Sequence, residues 1–319
     1  MKRIGKYNHL KIISSSPFFS ALPYFGIQNG IFLPLSLMEI YALFSLIFGA
    51  IIGSFLNVVI LRLNTGQLLG NNRSECPYCM RILSFWDLIP IFSFLFLRGR
   101  CRTCFSKISW QYPLVETATA VLFFLGFVKV SSANSDFIPF ILTLIFYFII
   151  FSCLVVIFVY DLRHKIIPDY PLYTFIITSI VGTLMVSIGF LGQSLGITLT
   201  NILVGSLLTL PFYFLWLVSD GRWLGFGDVK LVLGIGIFLG ISQGISAIVI
   251  AFWSGAIVGI LLLLIQRLLD ARKIKNRLIM ELKKITIKSE IPFAPFLIFG
   301  NLLAFFCDLW VSSLLNIFN

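Results

Sequence analysis

The sequence is poor in charged residues. Only 12% of its 319 residues are Asp, Glu, Lys or Arg, whereas 59% are hydrophobic. A soluble globular domain carries roughly 25% charged residues, and the mean hydropathy of +1.00 points the same way. This deficit excludes an ordinary water-soluble domain and predicts that most of the chain lies in lipid. The net charge of +11 does not indicate a nucleic acid partner. The basic residues lie in loops between apolar runs, where they set the orientation of the chain in the membrane.

Histidine is scarce too, since His9 and His164 are the only two. The sequence contains no HExxH, which excludes a zinc hydrolase site of that kind. A Ser–His site would have to use His164, and no GxSxG-type elbow is present. No cleavable signal peptide is predicted, because Pro17 and Pro23 interrupt the short apolar stretch near the start. Residues 1–32 are therefore expected to form an N-terminal tail.

Eight apolar runs approach the length of about 20 residues that a helix needs to cross a bilayer. We expect an all-α polytopic membrane protein with about eight transmembrane helices. Only Ser242, Gln243 and Gly244 mark a turn near the boundary between the sixth and seventh runs. The runs lie near 33–61, 113–130, 137–160, 170–190, 196–218, 229–246, 247–265 and 291–315.

Most of the positive charge falls in alternate connecting segments. Segments 62–112, 161–169, 219–230 and 266–290 hold seven, two, two and eight basic residues, which is 19 of the 24 in the chain. The positive-inside rule therefore predicts that these four segments are cytosolic, although it leaves a tail with four basic residues outside. The first segment is long enough for an extramembrane module, and the last forms a basic linker near anionic lipid.

Four of the six cysteines form two CxxC pairs. Cys76 and Cys79 make the first pair, Cys101 and Cys104 the second, and 21 residues lie between the pairs. This spacing predicts a zinc site, because two tight turns present four thiolates and close a tetrahedron without an open position. Such a metal would be structural. Free or redox-active thiols and a pair of disulfides are the alternatives, and a reducing cytosol disfavours disulfides.

Two of the 13 acidic residues stand at run ends that face the predicted cytosolic side. Asp161 ends the third run in YDLRHKIIPD, and Asp228 begins the sixth in GFGDVKL. An ionisable residue beside a span is costly and marks a candidate functional site. Two carboxylates at a partly dry site cannot both ionise easily, so one can act as a base and the other as an acid. Gly225 and Gly227, which lack a Cβ, would allow close approach to Asp228.

Simple ion pairs at the membrane surface are the alternative explanation. Asp161 could pair with Arg163 or Lys165, and Asp228 could pair with Lys230.

Two further acidic residues are candidates for supporting roles. Glu116, near the start of the second run, could face the same site, whereas Asp169 follows Pro168 and is expected to cap the fourth run.

Four stretches resemble bacterial type IV prepilin peptidases, which are aspartic proteases of the GxGD type. GSFLNVVILRL at 53–63 looks like the family's opening motif, and 76–116 resembles its cysteine-bearing cytosolic domain. The stretches 160–169 and 225–240 resemble the segments that carry the two catalytic aspartates. The resemblance runs from about residue 40 to 300. Asn64 departs from the pattern, because a proline is common at that position.

The resemblance implies that Asp161 and Asp228 are catalytic and that the cysteines form a cytosolic module at 62–112. Residues 113–319 would then be the transmembrane peptidase domain, following a first span at 33–61. The implied substrates are prepilins or pseudopilins, cut after the glycine that ends a short basic leader. The implied location is the cytosolic face of the bacterial inner membrane.

Many members of this family also methylate the new N terminus with S-adenosylmethionine, but no glycine-rich loop in the sequence identifies the residues that would bind it. Two other classes stay open. One is a different GxGD intramembrane protease, which the cysteine module argues against. The other is a proton-coupled transporter using the same aspartates, although the inverted repeats and broken midplane helices typical of transporters are not found.

Overall fold

The computed structural model describes residues 35–65, 73–133, 137–185, 195–271 and 292–308. Within these ranges the fold is helical, and the only β pairing consists of two isolated bridges. This confirms the expected all-α fold. The predicted tail at 1–32 and most of the basic linker at 266–290 lie outside the described residues. The helices are α1 (Leu35–Arg62), α2 (Phe92–Phe96), α3 (Gln111–Ala133), α4 (Phe137–His164), α5 (Asp169–Met185), α6 (Leu195–Ser219), α7 (Phe226–Ala271) and α8 (Ala294–Phe306).

Five of these helices are long and apolar enough to cross a membrane: α1, α3, α4, α6 and α7. They make the chain a multi-pass membrane protein. Helix α5 has 17 residues and α8 has 13, so their described lengths fall short of the roughly 20 residues that a bilayer requires. The expected number of eight crossings stays a prediction.

Helix α7 contains a break at Gly240, two residues before the expected turn at Ser242–Gly244. Gly240 has φ 72° and ψ −171°, a conformation that glycine adopts without a Cβ penalty. A Cβ added at Gly244 would lie 3.7 Å from the Cα of Gly236, whereas eight residues of continuous helix span about 12 Å. The chain therefore reverses direction here, and α7 holds two of the predicted runs as an antiparallel hairpin.

Helix α4 lies at the centre of the bundle. Its second half is buried from Ile150 to Asp161, and this face packs with apolar side chains of α5, α7 and α8. Helices α1 and α3 pack separately at very short range, since a Cβ added at Gly53 would lie 2.7 Å from the Cα of Glu116. Small residues permit such approach between helices in lipid.

Three of the predicted cytosolic segments meet at one end of the bundle. The side-chain amide of Asn64, just after α1, donates to the Tyr160 hydroxyl near the end of α4 at 3.1 Å. Lys230, in the first turns of α7, contacts Asp169 at the start of α5 at 3.0 Å. The cysteine module, the α4–α5 connection and the α6–α7 connection therefore share one side of the membrane protein.

Candidate active site

Asp161 lies in the last turn of α4, where the helix leaves the core. Its residue exposure is 4%, and its Oδ2 has no hydrogen-bonding partner within the described part of the chain. The peptide N–H of Lys165 donates to the Asp161 carbonyl at 2.8 Å, and Lys165 has φ 56°, which ends the helix. A buried carboxylate oxygen without a partner is unusual and calls for a functional explanation.

Asp228 lies in the first turn of α7, at the same end of the bundle as Asp161. Its peptide N–H donates to the Gly225 carbonyl at 3.1 Å, and the side chain is half-buried. Asp161 is close enough for its charge to act on the Asp228 carboxyl group. The structure therefore brings together two carboxylates that are 67 residues apart in the sequence.

Gly227 lets the start of α7 approach the α4–α5 connection closely. A Cβ at this position would lie 2.9 Å from the Cβ of Ile167, so any larger residue would push the two segments apart. A Cβ at Gly225 would lie 3.4 Å from Oδ2 of Asp228, which is ordinary contact. Gly227 is thus a packing requirement, whereas Gly225 keeps the surroundings of the carboxylate open.

Lys230 does not pair with Asp228. Its ammonium group contacts Oδ1 of Asp169 at 3.0 Å and donates to the Tyr173 hydroxyl at 2.8 Å. Among the described residues, neither Asp161 nor Asp228 forms an ion pair. The surface ion pairs considered from the sequence are therefore not found. Asp169 lies in the first turn of α5, and its capping role stays a prediction.

Tyr160 is a neighbour of the site that the sequence analysis missed. It directly precedes Asp161, is 6% exposed and accepts the hydrogen bond from Asn64. Its ring lies 4.3 Å from the ring of His164, measured between centroids. Asn64, a polar residue where a proline is common, was the one sign in the sequence of an additional contact. Its partner Tyr160 lies 96 residues away, so only the fold identifies it.

The cysteine module brings its four thiols to one point. The Sγ atoms of Cys76, Cys79, Cys101 and Cys104 all lie within 4.8 Å of one another. Cys76 and Cys104 are 3.8 Å apart, and Cys79 and Cys101 are 4.0 Å apart. A tetrahedron of thiolates around zinc, with Zn–S bonds of about 2.3 Å, has sulfur–sulfur distances of about 3.8 Å. The arrangement fits a four-thiolate zinc site, and all four cysteines are free of disulfides.

The thiols are also chemically suited to a cation. A hydrogen bond from the Cys79 backbone is the largest influence on Cys76 and helps to lower the pKa of its thiol to about 6. For Cys79, the Arg81 backbone acts in the lowering direction, but burial and the neighbouring thiols together raise the pKa to about 11. The first ionised thiol opposes ionisation of the next. A metal ion at the centre would reverse this, because coordinated thiols are deprotonated.

Asp87 joins the two cysteine turns. Its carboxylate contacts Arg81 at 2.6 Å and Arg102 at 3.1 Å, and its side chain is 4% exposed. Ser84 donates to it through both its backbone N–H and its hydroxyl. Burial acts to raise the pKa of Asp87, but the Ser84 hydrogen bonds and the two arginine charges outweigh it and lower the pKa. Asp87 is thus held inside the module.

Glu116 ties the module to the membrane helices. It is 7% exposed, and its Oε2 accepts a hydrogen bond of 2.7 Å from the peptide N–H of Ile91. Ile91 has φ 63° and precedes α2. Ser54 of α1 also bonds to the carboxyl group. The described contacts of Glu116 therefore lie towards the module, although the sequence suggested that it could face the aspartates.

Two family models match the chain. The bacterial peptidase A24 N-terminal domain matches residues 47–130, and the type IV leader peptidase family matches residues 148–260. The first match covers the cysteine module with parts of α1 and α3, and the second covers both aspartates.

Proteins of several bacteria are similar over most of the chain. The prepilin leader peptidase/N-methyltransferase of Myxococcus xanthus is 33% identical over 226 residues, which cover 70% of this chain and 64% of that protein. The protein of the same name from Bacillus subtilis is 28% identical, over 81% of this chain and 91% of its own length. The one from Pectobacterium carotovorum is 31% identical, over 66% and 80% respectively. No solved structure matches the chain. With both models matching in order and relatives of this identity, the chain belongs to the type IV leader peptidase family.

Proposed function

We propose that this protein is a membrane aspartic endopeptidase whose catalytic residues are Asp161 and Asp228. The observation that carries the proposal is the buried Asp161 carboxylate, whose Oδ2 has no hydrogen-bonding partner among the described residues and whose charge acts on Asp228. A charge left without a hydrogen bond or an ion pair costs folding free energy. Such a cost is tolerated where the group must be available to a substrate.

The two carboxylates supply an acid and a base for peptide hydrolysis. In a partly buried site two adjacent carboxyl groups hold one proton between them. The ionised group takes a proton from a water molecule, and the resulting hydroxide attacks the carbonyl carbon of the scissile peptide bond. The protonated group gives its proton to the leaving amide nitrogen, so that one acid and one amine are released. No metal ion takes part in this step.

The position of the pair favours a substrate cut at the membrane surface. Asp161 is in the last turn of α4 and Asp228 in the first turn of α7, both on the side that carries the cysteine module. The names of the relatives add the substrate class, since they are prepilin leader peptidases. We infer that the substrates are prepilins or pseudopilins, cut on the cytosolic face of the bacterial inner membrane.

The cysteine module at 62–112 is proposed to be a structural zinc domain, preceded by the first span and followed by the peptidase domain at 113–319. Cys76, Cys79, Cys101 and Cys104 would hold the ion, whose coordination shell they fill. Zinc would then contribute to folding of the module, while Glu116 and Asn64 connect the module to the helices of the site.

Methyl transfer is proposed from the names of the relatives, which are also N-methyltransferases. S-adenosylmethionine would supply the methyl group. The open cleft of the cysteine module is lined by Arg98, Arg100 and Lys107 and does not suit this cofactor, which itself bears a positive sulfonium and a positive ammonium group. No residue is assigned to the cofactor. Labelled methyl on the first residue of the cut product would test the activity, and cleaved but unlabelled product at saturating cofactor would contradict it.

The peptidase proposal is tested by incubating the purified protein with a prepilin and mapping the new N terminus by mass spectrometry. We expect one cut, after the glycine that ends the leader. Asp228→Asn should abolish the product, whereas Asp220→Asn, at an exposed aspartate eight residues earlier, should leave it unchanged. Cleavage within the apolar segment instead would favour another intramembrane protease. Absence of cleavage by both the unaltered protein and Asp220→Asn, together with proton uptake that depends on Asp161 and Asp228, would favour the transporter.

A further inference from the structure

An open cleft of about 470 Å³ lies between α2 and the second cysteine turn, apart from the aspartates. We call it the module cleft. Four of its lining side chains are apolar or aromatic, and three are basic. The first group is Phe94, Leu95, Ile108 and Trp110, and the second is Arg98, Arg100 and Lys107. This composition suits a ligand that is partly apolar and negatively charged.

The floor of the module cleft is built from two aromatic rings. Phe94 is buried at 8% exposure, and its ring centroid lies 5.0 Å from that of Trp110. Gly99 has φ 66°, and a Cβ there would come within 3.0 Å of the Phe94 ring. Arg100 and Lys107 face each other in an isolated antiparallel bridge, so their side chains project from neighbouring positions beside this floor.

The basic side chains of the cleft have no acidic partners among the described residues. In the part of the chain that the structure describes, Arg98, Arg100 and Lys107 form no ion pair, and all three are exposed. Arg81 and Arg102 of the same module differ, because both form ion pairs with Asp87. Three like charges around one cleft repel one another, and an anion bound there would relieve that repulsion.

The surroundings of the cleft are apolar and adjoin the membrane. Helix α2 exposes Phe92, Leu95 and Phe96 at 62%, 63% and 83%, and their i, i+3, i+4 spacing puts them on one face. Trp110, 68% exposed, directly precedes the candidate membrane span that begins at Gln111. Trp is enriched at the level of lipid headgroups, so the cleft opens near that level.

We propose that the module cleft binds the phosphate-bearing headgroup of an anionic membrane phospholipid, while the exposed face of α2 rests among the upper parts of the acyl chains. Charge complementarity selects an anion. The apolar face of α2 and the neighbouring span select a membrane lipid over a soluble phosphate. The lipid would fix the module at a set height above the membrane, independently of the chemistry at the aspartates.

Native mass spectrometry of the full-length protein in detergent tests this proposal with two lipids, phosphatidylglycerol and phosphatidylcholine. The variant is Arg98→Gln/Arg100→Gln, and the charge-matched control is Arg73→Gln/Arg222→Gln, which changes two exposed arginines elsewhere. A basic residue near an anionic surface strengthens binding by a factor of about 5. We therefore expect the variant to bind phosphatidylglycerol about 5- to 30-fold more weakly, while the control and phosphatidylcholine binding change by less than about twofold.

Three results would overturn the proposal. The first is equal affinity of the unaltered protein for both lipids, and the second is an equal loss in the variant and the control. The third is unchanged lipid preference together with loss of prepilin cleavage in detergent, which would assign the cleft to the substrate. Metal content and thermal unfolding are measured alongside. If the double variant fails to fold, Lys107→Gln replaces it, with an expected weakening of about fivefold.

Discussion

The cysteine module and the aspartate pair are two polar clusters at the same end of one helical bundle, yet their buried carboxylates differ in whether they form ion pairs. In the module, Asp87 is held by two arginines and by Ser84. At the pair, Asp161 is buried, and its Oδ2 lacks a hydrogen-bonding partner among the described residues. Compensated charges are typical of a cluster that holds a structure together, whereas an uncompensated charge is typical of a site prepared for a substrate.

The same criterion, whether a charged group has an ion-pair partner, argues against a catalytic role for the nearby Lys230 and Asp169. These two residues lie within a few positions of the motif residues, but they pair with each other. Proximity in sequence to GFGD therefore does not by itself identify a catalytic group.

Loss of cleavage in Asp161→Asn and in Asp228→Asn is the largest effect expected. Each substitution removes one member of a pair that must act together, and we expect turnover to fall by about 1,000-fold or more. The double variant should be no worse than either single one, because the two losses are not additive. Cleavage of a prepilin in liposomes at matched protein amounts measures this. Turnover near that of the unaltered protein in either variant would remove the pair from the mechanism.

Loss of metal in Cys76→Ser is the next largest effect. A site with four ligands should hold about one zinc per chain, and removal of one thiolate should lower this amount severely. Elemental analysis of the purified protein measures it. Cys307→Ser is the matched control, because Cys307 is a free cysteine outside the cluster. Metal-free protein with four titratable thiols in the module would contradict the zinc site.

Opposite changes in stability at Asp87 and Asp161 would sharpen the comparison. Asp87→Asn leaves two arginines without their counter-charge, and we expect a loss of about 1–2 kcal/mol, reduced from the value for a fully buried pair because both arginines are partly exposed. Asp161→Asn removes an uncompensated charge and should leave stability unchanged or raise it by about 1 kcal/mol. Thermal unfolding in detergent measures both. A clear loss of stability in Asp161→Asn would show that its carboxylate is a structural group.

A small effect is expected for Asp169→Asn. The side chain is 68% exposed in its pair with Lys230, and exposed pairs contribute about 0–1 kcal/mol. Cleavage should stay within about threefold of that of the unaltered protein, a factor that corresponds to less than 1 kcal/mol. The assay is the same liposome cleavage, with Asp228→Asn as the reference for full loss. A loss as large as that reference would extend the catalytic group to Asp169.

Much of the fold could be predicted because lipid imposes simple rules. Long apolar runs without charge had to be helices, and the positions of α1, α3, α4 and α6 followed from them. The break in α7 was expected at Ser242–Gly244, where polar residues interrupt the run, but it lies at Gly240. There the choice depends on a backbone conformation that glycine alone adopts easily, and the composition of the run does not reveal it.

Both candidate sites were visible in the sequence as residue types at informative positions. The two CxxC pairs predicted a shared site because each spacing places two thiols on one tight turn. The four thiols do converge. The two aspartates could be named as candidates, but the sequence left open whether Lys230 would neutralise one of them. That question was decided by the packing of α5 against α7, which places Asp169 and Tyr173 within reach of Lys230.

The sequence by itself determined that this protein lies in a membrane, that it carries a four-cysteine module, and that Asp161 and Asp228 stand at helix ends. These properties follow from composition, periodicity and local spacing, which need no knowledge of distant contacts. Only the tertiary structure decided which charges are compensated. Asp87 pairs with two arginines, whereas Asp161 pairs with none among the described residues, because ion pairs depend on how the helices and turns pack.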